Sequence, residues 1–217
     1  MAVVAGVDSS TQSCTVELRD ADSGALLGTG RAPHARTTPP RSEQDALGWW
    51  DALRSAFGAA VRDAGIDPGE IAAISVAAQC HGLVMLDSAG TPLRSVKLWN
   101  DTTSSPQSDR LIADLGVPGW IRVVGSVPLA AFTITKLAWV REHEPHLLDR
   151  LASVAVPHDY LTWRLTGRHV TDRSDASGTG YFSAASGEYR TDILELALRG
   201  RRPALPRVLG PADAVPV

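Results

Sequence analysis

The chain has 217 residues, 44% of them hydrophobic and 21% charged, enough apolar material to bury the core of one domain or one large lobe. A net charge of −3 with no basic block excludes nucleic acid and anionic membrane as obvious partners. No apolar run reaches membrane-spanning length, and Met1-Ala2 leads into a strand without a basic leader, so a cytoplasmic protein is expected. Cys14 and Cys80, far apart and outside any CxxC, read as buried thiols of a reducing compartment. Two lysines, Lys97 and Lys136, stand against nineteen arginines, which reads as a coding bias.

Val3-Val4-Ala5-Gly6-Val7 is a short β-branched run that stops at Asp8 and five small polar residues, Ser9-Ser10-Thr11-Gln12-Ser13, so a strand feeds a tight turn. With Cys14 to Arg19 and Leu26 to Gly30, the first thirty residues predict three antiparallel strands joined by hairpins. Backbone N–H groups and hydroxyls in such a turn, here Ser10, Thr11, Gln12 and Ser13, can surround a phosphate. Asp8 at the strand end can hold Mg²⁺ directly or through water. A plain hairpin turn is the competing reading. A loop from His34 to Arg41 follows. Ser42, with Asp45 three residues on, predicts a capped helix that packs Leu47, Trp50, Leu53, Phe57 and Val61 on the sheet and ends near Gly65.

Ile71 to Ala78 predicts a strand that runs into Gln79-Cys80-His81-Gly82 before a second strand, Leu83 to Leu86. Polar side chains at a strand end face the crevice where small ligands bind, although a lone histidine in a bend is also a common structural feature. Val96 to Asp101 then delivers Trp99, Asn100 and Asp101 together. An aromatic wall beside an amide and a carboxylate suits a polyol, whose C–H faces are apolar and whose hydroxyls need donors and acceptors. Helices are predicted over Thr135 to His143, from Pro145 through Leu151, over Asp159 to Thr166 closed by Gly167, and over Thr191 to Leu198 closed by Gly200. Pro203, Pro206, Pro211 and Pro216 exclude regular helix or an inner strand from the tail. Trp49, Trp50, Trp139 and Trp163 read as packing residues. His34, His143, His146, His158 and His169 read as surface or core histidines without metal-ligand spacing. Asp87 and Asp172 read as turn acids, and Asp175, within Ser174-Asp175-Ala176-Ser177-Gly178-Thr179, could equally cap a helix.

Taken in order, eight segments resemble the FGGY carbohydrate kinases, and within them the xylulokinases. They are Gly6 to Ser13; Glu43-Gln44-Asp45 with Trp49-Trp50; Gln79 to Gly82; Leu98 to Asp101; Phe132 to Leu137; His143-Glu144-Pro145; Pro157 to Leu161 with Leu165-Thr166-Gly167; and Ser174 to Thr179. The resemblance implies an actin-like, ribonuclease H-like α/β fold, with a mixed sheet, an antiparallel three-stranded N-terminal meander and flanking helices. Residues 1–200 would form the sugar-binding lobe and 201–217 a proline-rich tail towards an ATP-binding lobe that is absent from this chain. It also implies ATP-dependent phosphorylation of D-xylulose to D-xylulose 5-phosphate with Mg²⁺. Asp175 would be the general base, Asp8 would help hold the metal, and Ser10, Thr11, Gln12 and Ser13 would face the phosphates. Cys80 and His81 would contact the ketose, with Trp99, Asn100 and Asp101 beside it. A single lobe would leave an apolar cleft face open and favour self-association. The alternatives are an inactive sugar-binding lobe, a kinase for another pentulose or polyol, and a two-metal nuclease, since the ribonuclease H-like fold hosts those as well.

Overall fold

A computed structural model describes residues 2–217. In chain order its elements begin with β1 (Val3–Ser9), β2 (Ser13–Asp20), β3 (Leu26–Pro33), β4 (Glu43–Gln44), α1 (Ala46–Ala64), β5 (Ile71–Ala78), β6 (Val84–Leu86) and β7 (Val96–Lys97). They continue with α2 (Ser105–Val124), α3 (Thr133–His143), β8 (Ser153–Ala155), α4 (Pro157–Thr166), β9 (Val170–Thr171), α5 (Arg173–Ser177), β10 (Phe182–Ser183), β11 (Glu188–Tyr189), α6 (Thr191–Leu198) and β12 (Arg207–Val208). The chain divides into two compact units: one holds the chain up to Arg36 together with Asp45–Gln79, the other Thr37–Gln44 with Cys80–Val217.

The first unit is one sheet in the order β3-β2-β1-β5. β1 pairs antiparallel with β2 and parallel with β5, and β2 pairs antiparallel with β3, so the expected meander is present. Helix α1 lies on β3 at a distance only glycine permits: a Cβ on Gly30 would come within 2.0 Å of the Ala56 carbonyl oxygen, and one on Gly28 within 2.6 Å of that of Ala60. That close approach selects the buried face of the helix. Trp49, Ala52, Leu53, Ala56 and Ala60 are buried, whereas Leu47 is 46% exposed, so Leu53 is buried as expected but the rest of the expected face gives way to an alanine stripe with Trp49. The cap is also displaced. Asp45, not Ser42, is the N-cap, accepting from the Leu47 N–H, and Gly65 closes the helix in the left-handed conformation (φ 65°), as such a C-terminus requires.

The second unit is assembled from short pieces. β4 pairs with β7 and β6 with β8, both antiparallel, and β12 pairs in parallel with β9, so the proline-spaced tail contributes a two-residue strand. Its apolar core gathers Leu83, Met85, Trp120, Ile134, Leu137, Val140, Val154, Tyr181, Leu194 and Leu198. Helix α2 was not anticipated from the sequence, because Pro106, Gly116, Pro118 and Gly119 punctuate it. Gly116 (φ 67°) breaks it into two helical pieces across a kink. The segment expected as a helix from Pro145 is a 3₁₀ turn over Pro145–Asp149. This unit also buries charge: Lys97, Lys136 and Asp101 are 0% exposed and Asp159 2%. No helix among the described residues is long and apolar enough to cross a membrane.

Candidate functional site

In the first unit the turn after β1 is closed by Ser10, whose N–H and hydroxyl both donate to the Ser13 carbonyl (3.0 and 3.2 Å). Ser9 Oγ lies 3.1 Å from His34 Nε2, and the His34 N–H donates to the Gln12 carbonyl. The carboxylate of Asp8 is exposed. Register places Asp8 opposite Thr15 and Thr15 opposite Arg31, so acid, hydroxyl and guanidinium form a row on one face of the sheet, because cross-strand partners share a face. Arg31 Nε donates to Ser13 Oγ at 3.0 Å, which sets a cation beside the turn. The same face carries an open groove of about 730 Å³ lined in part by Gly6, Asp8, Thr15, Glu17 and Ser75. The exposed carboxylate, the turn hydroxyls and the adjacent guanidinium are the donor set that a metal-bound phosphate requires, so these residues fit Mg²⁺ and a phosphate chain.

In the second unit the strand-end motif forms a sharp bend. His81 has φ 61°, a left-handed conformation that costs a non-glycine residue roughly 1–3 kcal/mol and persists only where neighbours enforce it. Those neighbours come from α3. Lys136 Nζ donates to the His81 carbonyl at 2.8 Å and also to the Ala131 carbonyl, while Thr133 Oγ1 donates to the His81 carbonyl at 3.2 Å. The imidazole packs at 5.1 Å from the Phe132 ring and against Gly178, where a Cβ would fall 2.1 Å from its Cε1. Burial lowers the imidazole pKa, and the Lys136 charge lowers it further.

Asp175 sits on α5, whose N-cap is Asp172, accepting from the Ser174 and Asp175 N–H groups. Burial raises the Asp175 carboxyl to about 6, helped by the charges of Asp159 and Asp172 and opposed by His158, whose Nδ1 is 3.6 Å away. Burial alone would lower the His158 pKa, but its hydrogen bond to Asp159 and the three surrounding carboxylates lift it. His158, Asp172 and Asp175 also bring three ligand atoms within 4.8 Å of one another, a grouping that their sequence spacing does not announce. Asp175 is near enough to Cys80 for its charge to raise the thiol pKa, after desolvation, the larger cause. Cys14 is buried as expected, but Cys80 is exposed, because it stands past the end of β5 in the bend rather than inside a strand.

Trp99, Asn100 and Asp101 leave β7 together but in different states. Trp99 is 44% exposed, and Asn100 Oδ1 is buried without a hydrogen-bond donor. Asp101 accepts from Lys97 Nζ, the Thr103 N–H and hydroxyl, and the Ser42 N–H, so its carboxylate is occupied in holding this loop. Lys97 is further paired with Glu43 at 3.3 Å and lies 4.0 Å from the Trp139 ring centroid. Burial lowers the Lys136 pKa to about 7, against the pull of Asp101 and Cys80 towards its charged form, which places that amine among the motifs of this unit.

The residues that sequence reasoning left out are Lys136, Gly178, His158 and Arg31. One signal for the first was present: the chain keeps only two lysines against nineteen arginines, and both are fully buried in the fold. A compact ammonium with three donors fits where a planar guanidinium does not.

Residues 3–215 match the family model described as the FGGY family of carbohydrate kinases, N-terminal domain. The chain belongs to that family. It is 46% identical over 213 residues to a xylulose kinase of Streptomyces rubiginosus, a match covering 97% of this chain and 43% of the relative. The crystal structure of xylulose kinase from Bifidobacterium adolescentis superposes with a TM-score of 0.88 at 39% identity, over 99% of this chain and 49% of that one. Gluconate kinase from Lactobacillus acidophilus, at 23% identity and TM-score 0.88 over 98% of this chain and 43% of that one, shares the fold. The fold is therefore the actin-like, ribonuclease H-like α/β fold of these sugar kinases. The chain spans less than half the length of the full-length relatives it matches.

Proposed function

We propose that this chain is the sugar-binding part of a cytoplasmic kinase that transfers the γ-phosphate of ATP to the 5-hydroxyl of D-xylulose, giving D-xylulose 5-phosphate. The observation that carries the reading is the enforced bend at Cys80-His81, with Asp175 close by, in a chain whose near relatives bear the name xylulose kinase. His81 and Cys80 meet the ketose, Trp99 offers its ring to an apolar C–H face, and Asn100 Oδ1 accepts a sugar hydroxyl. Asp101 contributes by fixing the loop that carries Trp99 and Asn100. On the first unit, Asp8 helps hold Mg²⁺, and Ser10, Thr11, Gln12 and Ser13 face phosphate oxygens. MgATP, when bound, supplies the phosphoryl group and neutralises its charge.

Asp175 has two roles open to it. A carboxylate raised to about 6 is ionised at neutral pH and basic enough to take the proton of the attacking hydroxyl, the general-base reading. The matched relatives, however, extend over more than twice this length. That extent leaves room for a second reading, in which Asp175 accepts a hydrogen bond from a sugar hydroxyl and the proton leaves to another group. ADP release coupled to D-xylulose and MgATP, measured on the polypeptide carrying both lobes, separates them. As general base, Asp175→Asn lowers kcat by about 10²–10⁴-fold, whereas as hydroxyl acceptor it raises KM with a smaller change in kcat. Turnover with another pentulose or polyol but not with D-xylulose would transfer the reading to that sugar. No turnover with any of them would leave a sugar-binding lobe without activity.

A further inference from the structure

We infer that Lys136 is a positioning residue for the sugar. Together with Thr133 and the bare Cα of Gly178, it forms a clamp that holds His81 in the one conformation that presents its imidazole to a ketose. The inference rests on the sugar-kinase reading for the ligand, but not for the clamp. Three observations converge on it. The His81 carbonyl receives two side-chain donors from one turn of α3, Lys136 Nζ at 2.8 Å and Thr133 Oγ1 at 3.2 Å, and both donors are 0% exposed. His81 adopts φ 61° without being glycine, which needs such enforcement. On the opposite side, Gly178 leaves a slot that the imidazole fills, and a Cβ there would overlap Cε1 and Nδ1 at 2.1 and 2.2 Å.

The chemistry favours lysine over arginine at this position. Nζ also donates to the Ala131 carbonyl, so a single ammonium ties the bend to the residues that lead into α3. Burial works against its charge, the Asp101 carboxylate favours the ammonium, and Lys97 opposes it. Holding two carbonyls inside a closed space suits a tetrahedral donor at the end of a slim stem. Without it, the His81 carbonyl loses its stronger donor and the bend can relax to ordinary φ, carrying the imidazole and Cys80 away from the sugar.

The test begins without ligand. The ring signals of His81 in ¹³C-edited NMR spectra, assigned through His81→Gln, are compared in the 217-residue chain and in Lys136→Met, Thr133→Val, Thr133→Ser and Gly178→Ala. The expected result is displaced or broadened His81 signals in Lys136→Met, Thr133→Val and Gly178→Ala, wild-type signals in Thr133→Ser, and little change at the other five histidines. D-xylulose affinity should fall about tenfold or more in Lys136→Met and Gly178→Ala, as for a misaligned polar contact. Wild-type His81 signals and wild-type affinity in those two variants would overturn the inference. If Lys136→Met does not fold, the Thr133→Val and Thr133→Ser pair decides in the same way, because it removes and then restores the other donor to the His81 carbonyl. Failure of the ketose reading alone looks different: D-xylulose leaves the wild-type His81 signals unmoved at every concentration, while the clamp variants still displace them in the ligand-free state.

Discussion

The first unit joins sheet to helix through glycine and alanine, with Gly28 and Gly30 under Ala56 and Ala60, whereas the second buries two ammonium groups and the carboxylates of Asp101 and Asp159 among short elements. In the first, Asp8, proposed to help hold Mg²⁺, is exposed at the sheet surface and contributes little to the core. In the second, polar groups proposed to shape the sugar site also hold the fold. Asp101 holds the loop that presents Trp99, and Lys136 holds the bend that presents His81. Polar substitutions should therefore separate cleanly into stability and function in one unit and not in the other.

A substitution at Asp101 should cost most. Asp101→Ala takes the nearer of two carboxylates from Lys97, which is 0% exposed and keeps Glu43 at 3.3 Å, and removing one partner of a buried pair costs up to about 3–5 kcal/mol. Urea unfolding should show it, and a loss below about 1 kcal/mol would mean that Glu43 and Trp139 suffice for Lys97. The counterpart in the first unit is Gly30→Ala. It forces a Cβ to within 2.0 Å of a helix carbonyl and should cost about 1–3 kcal/mol by overpacking without moving the His81 signals.

Asp175→Asn comes next, with ketose affinity reduced about tenfold, an effect of ~1.4 kcal/mol. Its pH profile carries a sign. With the Asp175 carboxyl at about 6, wild-type affinity should rise as pH increases through that value and the carboxylate ionises, and Asp175→Asn should flatten the rise. A flat wild-type profile between pH 5 and 7, read by calorimetry, would remove Asp175 from the sugar site. The least change in stability is expected at Asp8: as an exposed group, Asp8→Asn should shift it by no more than about 0.5 kcal/mol, while abolishing ADP release in the two-lobed enzyme.

The same contrast decides what could be read from the chain. The meander, β5 and the C-terminal end of α1 were legible because strand alternation, turn residues and a glycine stop are local signals, whereas its N-cap lies three residues beyond the Ser42 read from the chain. The face of α1 was not, since alanine burial depends on Gly28 and Gly30, which are distant in sequence. In the second unit, Gln79 to Gly82 and Trp99 to Asp101 could be marked as site segments from their position after strands. That Asp101 is occupied by Lys97, Thr103 and Ser42 is a property of three-dimensional packing. Helix α2 was hidden by its prolines and glycines, and Lys136 by the reading of scarce lysine as a coding bias.

A ketose bound to the second unit at the His81 bend would give intermolecular NOEs between ¹³C-labelled D-xylulose and the chain. They are expected from the sugar to the ring protons of His81 and Trp99, and should be lost in Gly178→Ala. Saturable binding whose NOEs come only from residues of the first unit, or no saturable binding at all, would contradict a ketose site at the bend.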